Sequence, residues 1–156
     1  MLSFKKNKTD ASENNSICTP GDYSELSKIR DFVTVQAKKF GFPDDDVFKI
    51  ALAVDEACTN LIEHAFKFDK AKELCVNIES DTNQFIVNII DNGSPFNPLE
   101  VIQPDMKEYL SKYSQGGLGI FIMRSVMDEI SYSPSTINST DTQQHLNILK
   151  LKKILH

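Results

Sequence analysis

Apolar and polar positions alternate along this chain with two distinct rhythms. From Tyr23 to Phe40, Leu26, Ile29, Phe32, Val33 and Ala37 recur at helical spacing, and Gly41-Phe42-Pro43 ends the pattern. From about 45 to 67, Val47, Ala51, Val54, Cys58, Leu61 and Ala65 step by four or three and predict a second helix. Glu56, Asn60, Glu63 and Lys67 form a polar stripe on its opposite face. The carboxylates of Asp44-Asp45-Asp46 precede it, suited to capping free N–H groups and to complementing the helix dipole. The rhythm then changes to two. Leu74, Val76 and Ile78 alternate with polar neighbours, Asp81-Thr82-Asn83 turns the chain, and Phe85, Val87, Ile89 and Asp91 share the next face.

Residues 92 to 116 carry no sustained pattern and contain Pro95, Pro98 and Pro104, which predicts a lid or loop. Gly116-Gly117-Leu118-Gly119 then opens an apolar helix through Ile120, Met123, Val126 and Met127. A short strand is expected near 130–133, a polar loop over 134–143 and a last strand around 146–151. Helices on one face of a mixed, mostly antiparallel sheet are the economical packing of this order. The expected fold is therefore a two-layer α/β sandwich. Residues 1–18 read as a flexible arm and 19–156 as a single domain with its lid at about 92–116.

Composition narrows the function. The 156 residues suit one domain that needs no metal or disulfide to hold it together. With 22 acidic against 17 basic side chains the net charge is −5, which disfavours binding to nucleic acid. No stretch approaches the ~20 apolar residues of a membrane span, and no apolar signal core follows Met1. Cys18, Cys58 and Cys75 have no metal-ligand spacing, and are expected to be thiols in a reducing, cytoplasmic compartment.

Three segments could carry chemistry. Glu56 and Asn60 lie one helical turn apart, so a proton acceptor and an amide oxygen suited to Mg2+ would project together; a solvated polar face has the same pattern. Asp91 points to the side its strand buries and needs a donor there, such as the exocyclic amine of a purine. Gly93 would let the backbone approach a flat ring, although Asp-Asn-Gly is also a common turn. Gly116, Gly117 and Gly119 at a helix mouth offer backbone N–H groups to an anion, or form a hinge. The third glycine of a dinucleotide fingerprint is missing, since Ile122 stands there, and there is no P-loop.

In this order and context the three segments resemble the GHKL ATPase superfamily with its Bergerat fold. Within it they are most similar to bacterial anti-sigma factor serine/threonine kinases of partner-switching systems. The segments are Ala53 to His64, Asp91 to Pro98 and Gly117 to Glu129, and the likeness runs from about Thr19 to Leu151. The resemblance implies that Asn60 holds magnesium and that Glu56 orients or deprotonates the attacking hydroxyl. It implies that Asp91 accepts from the adenine amino group and that Gly93 lines the base. The phosphates would be wrapped by Gly116, Gly117, Leu118 and Gly119, with His64 lining the same pocket. Arg30 matches an arginine of the family's partner surface. Two departures stand out: Pro95 replaces a second glycine, and Asn147 occupies the position where the last strand usually offers a threonine near the base.

The resemblance thus implies an ATP- and Mg2+-dependent protein kinase that phosphorylates an anti-sigma-antagonist protein and sequesters a sigma factor, with homodimerisation common in the family. The alternative is a nucleotide-binding module that sequesters a partner without turnover. A detached histidine-kinase catalytic part is disfavoured by Pro95-Phe96 and by the chain length.

Overall fold

The computed structural model describes residues 14–100, 118–138 and 143–156. The strands are β1 (Ser16–Pro20), β2 (Glu73–Ser80), β3 (Gln84–Asp91), β4 (Glu129–Asn138) and β5 (Gln143–Ile154). The helices are α1 (Leu26–Phe40), α2 (Asp44–Asn60) and α3 (Leu118–Val126). The strands form one sheet in the order β1-β2-β3-β5-β4, and every neighbouring pair is antiparallel.

Period-two patterning decides which face of the sheet is covered. Leu74, Val76 and Ile78 of β2, Phe85, Val87 and Ile89 of β3, and Leu149 and Leu151 of β5 all join the buried core. Against them pack Ile29, Val33 and Ala37 of α1, and Val47, Ile50, Val54, Ala57 and Cys58 of α2. Ile120 and Met123 come from α3. Burial of this apolar surface is the main term holding the two layers together. Gly41 ends α1 in the left-handed region at φ +113°, and its N–H reaches the carbonyls of Ala37 and Lys38. Pro43 is the N-cap of α2 and no side chain makes a capping bond there, so Asp44, Asp45 and Asp46 act on the dipole alone.

Three expectations are corrected. Residues 16–18 are not part of an arm, because Ser16–Pro20 pairs with β2 as an edge strand. That pairing sets Cys18 opposite Cys75, and the two form a disulfide with Cα atoms 4.0 Å apart rather than remaining thiols. Cys58 is a buried free thiol, as expected. The strands flanking the polar loop are also longer than expected, since β4 runs to Asn138 and β5 starts at Gln143. Most of the expected lid, including Gly116 and Gly117, lies outside the described residues. No helix among the described residues is long and apolar enough to cross a membrane.

Candidate active site

Helix α2 carries Glu56 and Asn60 on one face, as its period requires. Glu56 is half-buried against the start of α3. A Cβ placed on Gly119 would lie 2.7 Å from Glu56 Oε2, so the backbone at the start of α3 runs close against this carboxylate. Burial pushes the Glu56 pKa up, and the neighbouring charges of Asp55 and Glu63 push it further. A carboxylate made more basic in this way can accept a proton from a hydroxyl.

One residue beyond Asn60 the helix changes character. Leu61–Ala65 is a π-helical turn, closed by the Phe66 N–H on the Leu61 carbonyl at 2.8 Å. The wider turn rotates the residues beyond Asn60 out of the stripe expected from the sequence. Glu63 accepts from the Tyr23 hydroxyl at 2.7 Å, and the exposed His64 stacks on Phe96 with ring centroids 4.9 Å apart. Lys67 lies past the turn, in the left-handed region at φ +50°. Asn60 itself lines a small cavity with Ala57, Leu61, Phe96, Pro98, Tyr132 and Leu149. Its Nδ2 is buried without a partner, while its Oδ1 makes no hydrogen bond among the described residues. That oxygen is a fitting ligand for Mg2+, which takes few protein oxygens and keeps its remaining positions for water and phosphate. No group of three or more His, Cys, Asp or Glu that could hold a metal occurs among the described residues.

The sheet supplies the second half of the site. Asp91 ends β3 on the face that packs on the helices, and it pairs in register with Asn147 of β5. Both are almost fully buried, at 1% and 0% exposure. Asp91 Oδ1 accepts from the Gly93 N–H at 2.9 Å and from Asn147 Nδ2 at 3.1 Å. Asn147 Nδ2 also donates to the Gly93 carbonyl at 3.0 Å. Burial raises the Asp91 pKa, and the hydrogen bonds from Asn147 and Gly93 oppose that rise. Gly93 does lie against a flat ring, but the ring belongs to the protein: a Cβ there would sit 2.6 Å from Phe66 Cδ1 and 3.0 Å from the Ala65 carbonyl.

Leu149 joins the two halves, because it follows Asn147 on the same face of β5 and lines the Asn60 cavity. Tyr132 on β4 lies directly opposite Leu149 and holds the cover in place, its hydroxyl accepting from the Phe96 N–H at 2.9 Å. The cavity beneath Phe96 and Pro98 measures about 10 Å³, the space of a single water. Tyr132 was missed in the sequence, although its alternation with Ile130 carries the signal that it faces inward. Asn147 was marked there only as a departure. Arg30 stands apart from this site. It pairs with Asp55 at 3.6 Å beside a groove of about 430 Å³ between α1 and α2.

The family model described as histidine kinase-like ATPase domain matches residues 19–143. The chain belongs to this family. It is similar to the serine-protein kinase RsbW of Bacillus subtilis (strain 168), 30% identical over 116 residues, which cover 71% of this chain and 72% of the relative. The RsbW of Bacillus velezensis is 26% identical over 133 residues, or 82% of each chain. The RsbW of Bacillus licheniformis is 34% identical over 98 residues, and this chain spans 61% of that relative's length. Among solved structures, a chain of the SiaB-SiaC complex from Pseudomonas aeruginosa superposes with a TM-score of 0.53. At 13% identity, with 90% and 89% of the two chains covered, that likeness concerns the fold.

Proposed function

We propose that this chain is a serine/threonine protein kinase that transfers the γ-phosphate of ATP, with Mg2+, to an anti-sigma-antagonist protein. The observation that carries the reading is the convergence of two halves on one face of the sheet. These are the buried Asp91 carboxylate, oriented by Gly93 and Asn147, and the Glu56–Asn60 pair of α2. The RsbW relatives, named as serine-protein kinases, support it.

In this reading Asp91 takes the amino group of the adenine, and Asn60 offers its carboxamide oxygen to magnesium. Magnesium, when bound, neutralises charge on the phosphates. Glu56 takes the proton of the attacking serine or threonine hydroxyl, and the mouth of α3, including Leu118 and Gly119, lies beside the phosphates. Phe96 and Pro98 cover a space far too small for a nucleotide. Binding therefore displaces that cover, breaking the Phe96 bond to Tyr132 and the stack on His64. The half-exposed Arg30 and the α1/α2 groove, from which Phe48 projects at 69% exposure, form the face for protein partners, a sigma factor among them. Cytoplasmic location and homodimerisation belong to the same reading, the location resting on the kinase relatives and not on the cysteines, since Cys18 and Cys75 are joined.

The decisive assay is transfer of labelled γ-phosphate to the dephosphorylated partner recovered by pull-down. Transfer by the native chain supports the kinase. Tight binding of ATP and partner without transfer, across magnesium and pH conditions, replaces it with the silent sequestering module.

A further inference from the structure

The edge strand β1 has little of its own to hold it in place. Only Ile17 and Thr19 turn towards the helices, and the Thr19 hydroxyl is buried there with no hydrogen-bond partner. A polar group left unpaired in the core costs free energy, so this strand gains less from docking than its burial suggests. Its covalent tie lies on the opposite face, where the exposed Cys18 is joined to the fully buried Cys75 of β2. The residues that follow β1 reach the candidate site. Gly21 donates its N–H to the Lys72 carbonyl at 2.8 Å, and the Tyr23 hydroxyl donates to Glu63 of the π-helical turn at 2.7 Å. A Cβ on Gly21 would run into Phe66 Cδ2 and stand 2.7 Å from Cε2, whereas one on Gly93 would stand 2.6 Å from Cδ1 and 2.8 Å from Cε1. The Phe66 ring is thus held by its two edges, between the end of β1 and the turn after Asp91. The Gly93 side of that clamp is also the backbone that donates to Asp91 Oδ1.

We propose that the Cys18–Cys75 pair is a redox-sensing site that controls nucleotide binding through Gly21, Phe66 and Gly93. Closed, the disulfide pins β1 and keeps both sides of the Phe66 clamp in place, so the site is preorganised. Opened, β1 leaves the edge of β2 by local unfolding, Gly21 leaves the ring, and the turn at Gly93 loses its backing. The chemistry is thiol–disulfide exchange with a small dithiol or its disulfide. In opening, a thiolate of the dithiol bonds to the exposed Cys18 sulfur, and the electron pair of the broken S–S bond leaves on Cys75, which takes a proton. The second thiol of the dithiol then displaces Cys18 as a thiol, and the small molecule departs as a cyclic disulfide. Closing is the reverse, with two electrons and two protons passing to the small disulfide. Cys58 is a separate buried thiol and takes no part. The nucleotide half of the proposal rests on the reading of this site as an ATP site. The sensing role rests on the cytoplasmic location in that reading, where standing disulfides are rare and those that form serve redox sensing or catalysis.

The test poises the full chain in excess reduced or oxidised dithiothreitol and then reads three things: which cysteines can be alkylated, calorimetric affinity for ATP, and amide hydrogen exchange by mass spectrometry. Alkylation after unfolding should find Cys58 alone in the oxidised chain and all the cysteines in the reduced one. On reduction ATP binding should weaken on the order of tenfold, the factor that follows when the competent state falls to about a tenth of the population. Exchange should quicken at Gly21 and also at Ser94, whose N–H donates to the Ala65 carbonyl at 3.3 Å. Cys18→Ser should match the reduced chain in either buffer, and the comparison of the two native forms needs no variant to fold. A disulfide that dithiothreitol opens only after the chain is unfolded is a permanent cross-link and overturns the proposal. Equal ATP affinity in the two forms, with the change in thiols verified, also overturns it. ATP bound by neither form is a different result, since it ends the kinase reading. The exchange data then decide the coupling alone: quickening at Ser94 upholds it, and quickening confined to β1 overturns it.

Discussion

At the scale of single residues, the site depends on carboxylates held away from water. Glu56→Gln keeps the shape of the side chain and removes the proton acceptor. Phosphoryl transfer should fall by about 10²–10⁴-fold while ATP still binds, read from single-turnover transfer beside calorimetry. Transfer unchanged by the substitution would remove Glu56 from the mechanism. If Glu56 is the base it works only when ionised, so transfer should be lost as pH drops through its pKa. Burial, Asp55 and Glu63 place that acid limb above the ordinary value of 4.5, and Glu63→Gln should move it back towards lower pH. Asp91 gives two opposed signs. Its pKa is raised in the folded chain, so the native state holds this proton more tightly than the unfolded chain does. The contribution of Asp91 to the stability of the unliganded protein is then fully present below the unfolded value near 3.8 and is lost as pH rises through the folded pKa. With Asp91 as the proposed adenine acceptor, ATP affinity should rise across the same window. Denaturant midpoints and binding isotherms collected over that range test both signs. Asn60→Ala should abolish the Mg2+-dependent tightening of ATP binding, and a full magnesium effect in the variant would remove Asn60 from the metal site.

At the scale of elements, two close contacts hold the frame. The turn after β3 lies directly on the ring of Phe66, just beyond the π-helical turn, with no room for a methyl at Gly93. Gly93→Ala should therefore destabilise the fold by about 1–3 kcal/mol, and Phe66→Leu in the same chain should recover part of that loss. Urea midpoints of the single and double variants measure it. The edge strand β1 is joined to β2 by Cys18–Cys75, residues separated by 57 positions. Closing so long a loop restricts the unfolded chain, so Cys18→Ser should cost about 2–4 kcal/mol in non-reducing buffer. Addition of a reductant should lower the native chain to the same midpoint and leave the variant unmoved. Equal midpoints for native chain and variant without reductant would show that the disulfide contributes nothing.

At the scale of the whole molecule, the two halves of the site belong to different layers and meet only because the layers pack. ATP with Mg2+ should raise the melting temperature, since a ligand bound by the native state alone stabilises it by mass action. Asp91→Asn should remove most of that shift, because the adenine amine loses a charged acceptor. A chain that shows no thermal shift and no calorimetric binding with any adenine nucleotide is not an ATP-dependent enzyme.

Local periodicity was enough to determine much of this protein. The apolar stripe of 45–67 predicted α2 and set Glu56 and Asn60 on one face, and the alternation through Phe85, Val87 and Ile89 turned Asp91 inward. Both follow from the geometry of a single element, where neighbours in sequence are neighbours in space. Features that depended on distant partners stayed hidden. The π turn that diverts Glu63 to Tyr23 and His64 to Phe96 leaves no mark in a pattern of fours and threes. The strand at Ser16–Pro20 is too short to show alternation against its polar flank, so the cysteine pair across it was read as separate thiols. The contact of the Phe66 ring with Gly93 likewise depends on the packing of the turn after β3 against the helix layer. The orientation of Asn147 was settled only when β5 came into register with β3. A side-chain amide looks the same from either end until the fold decides which acceptors it must face.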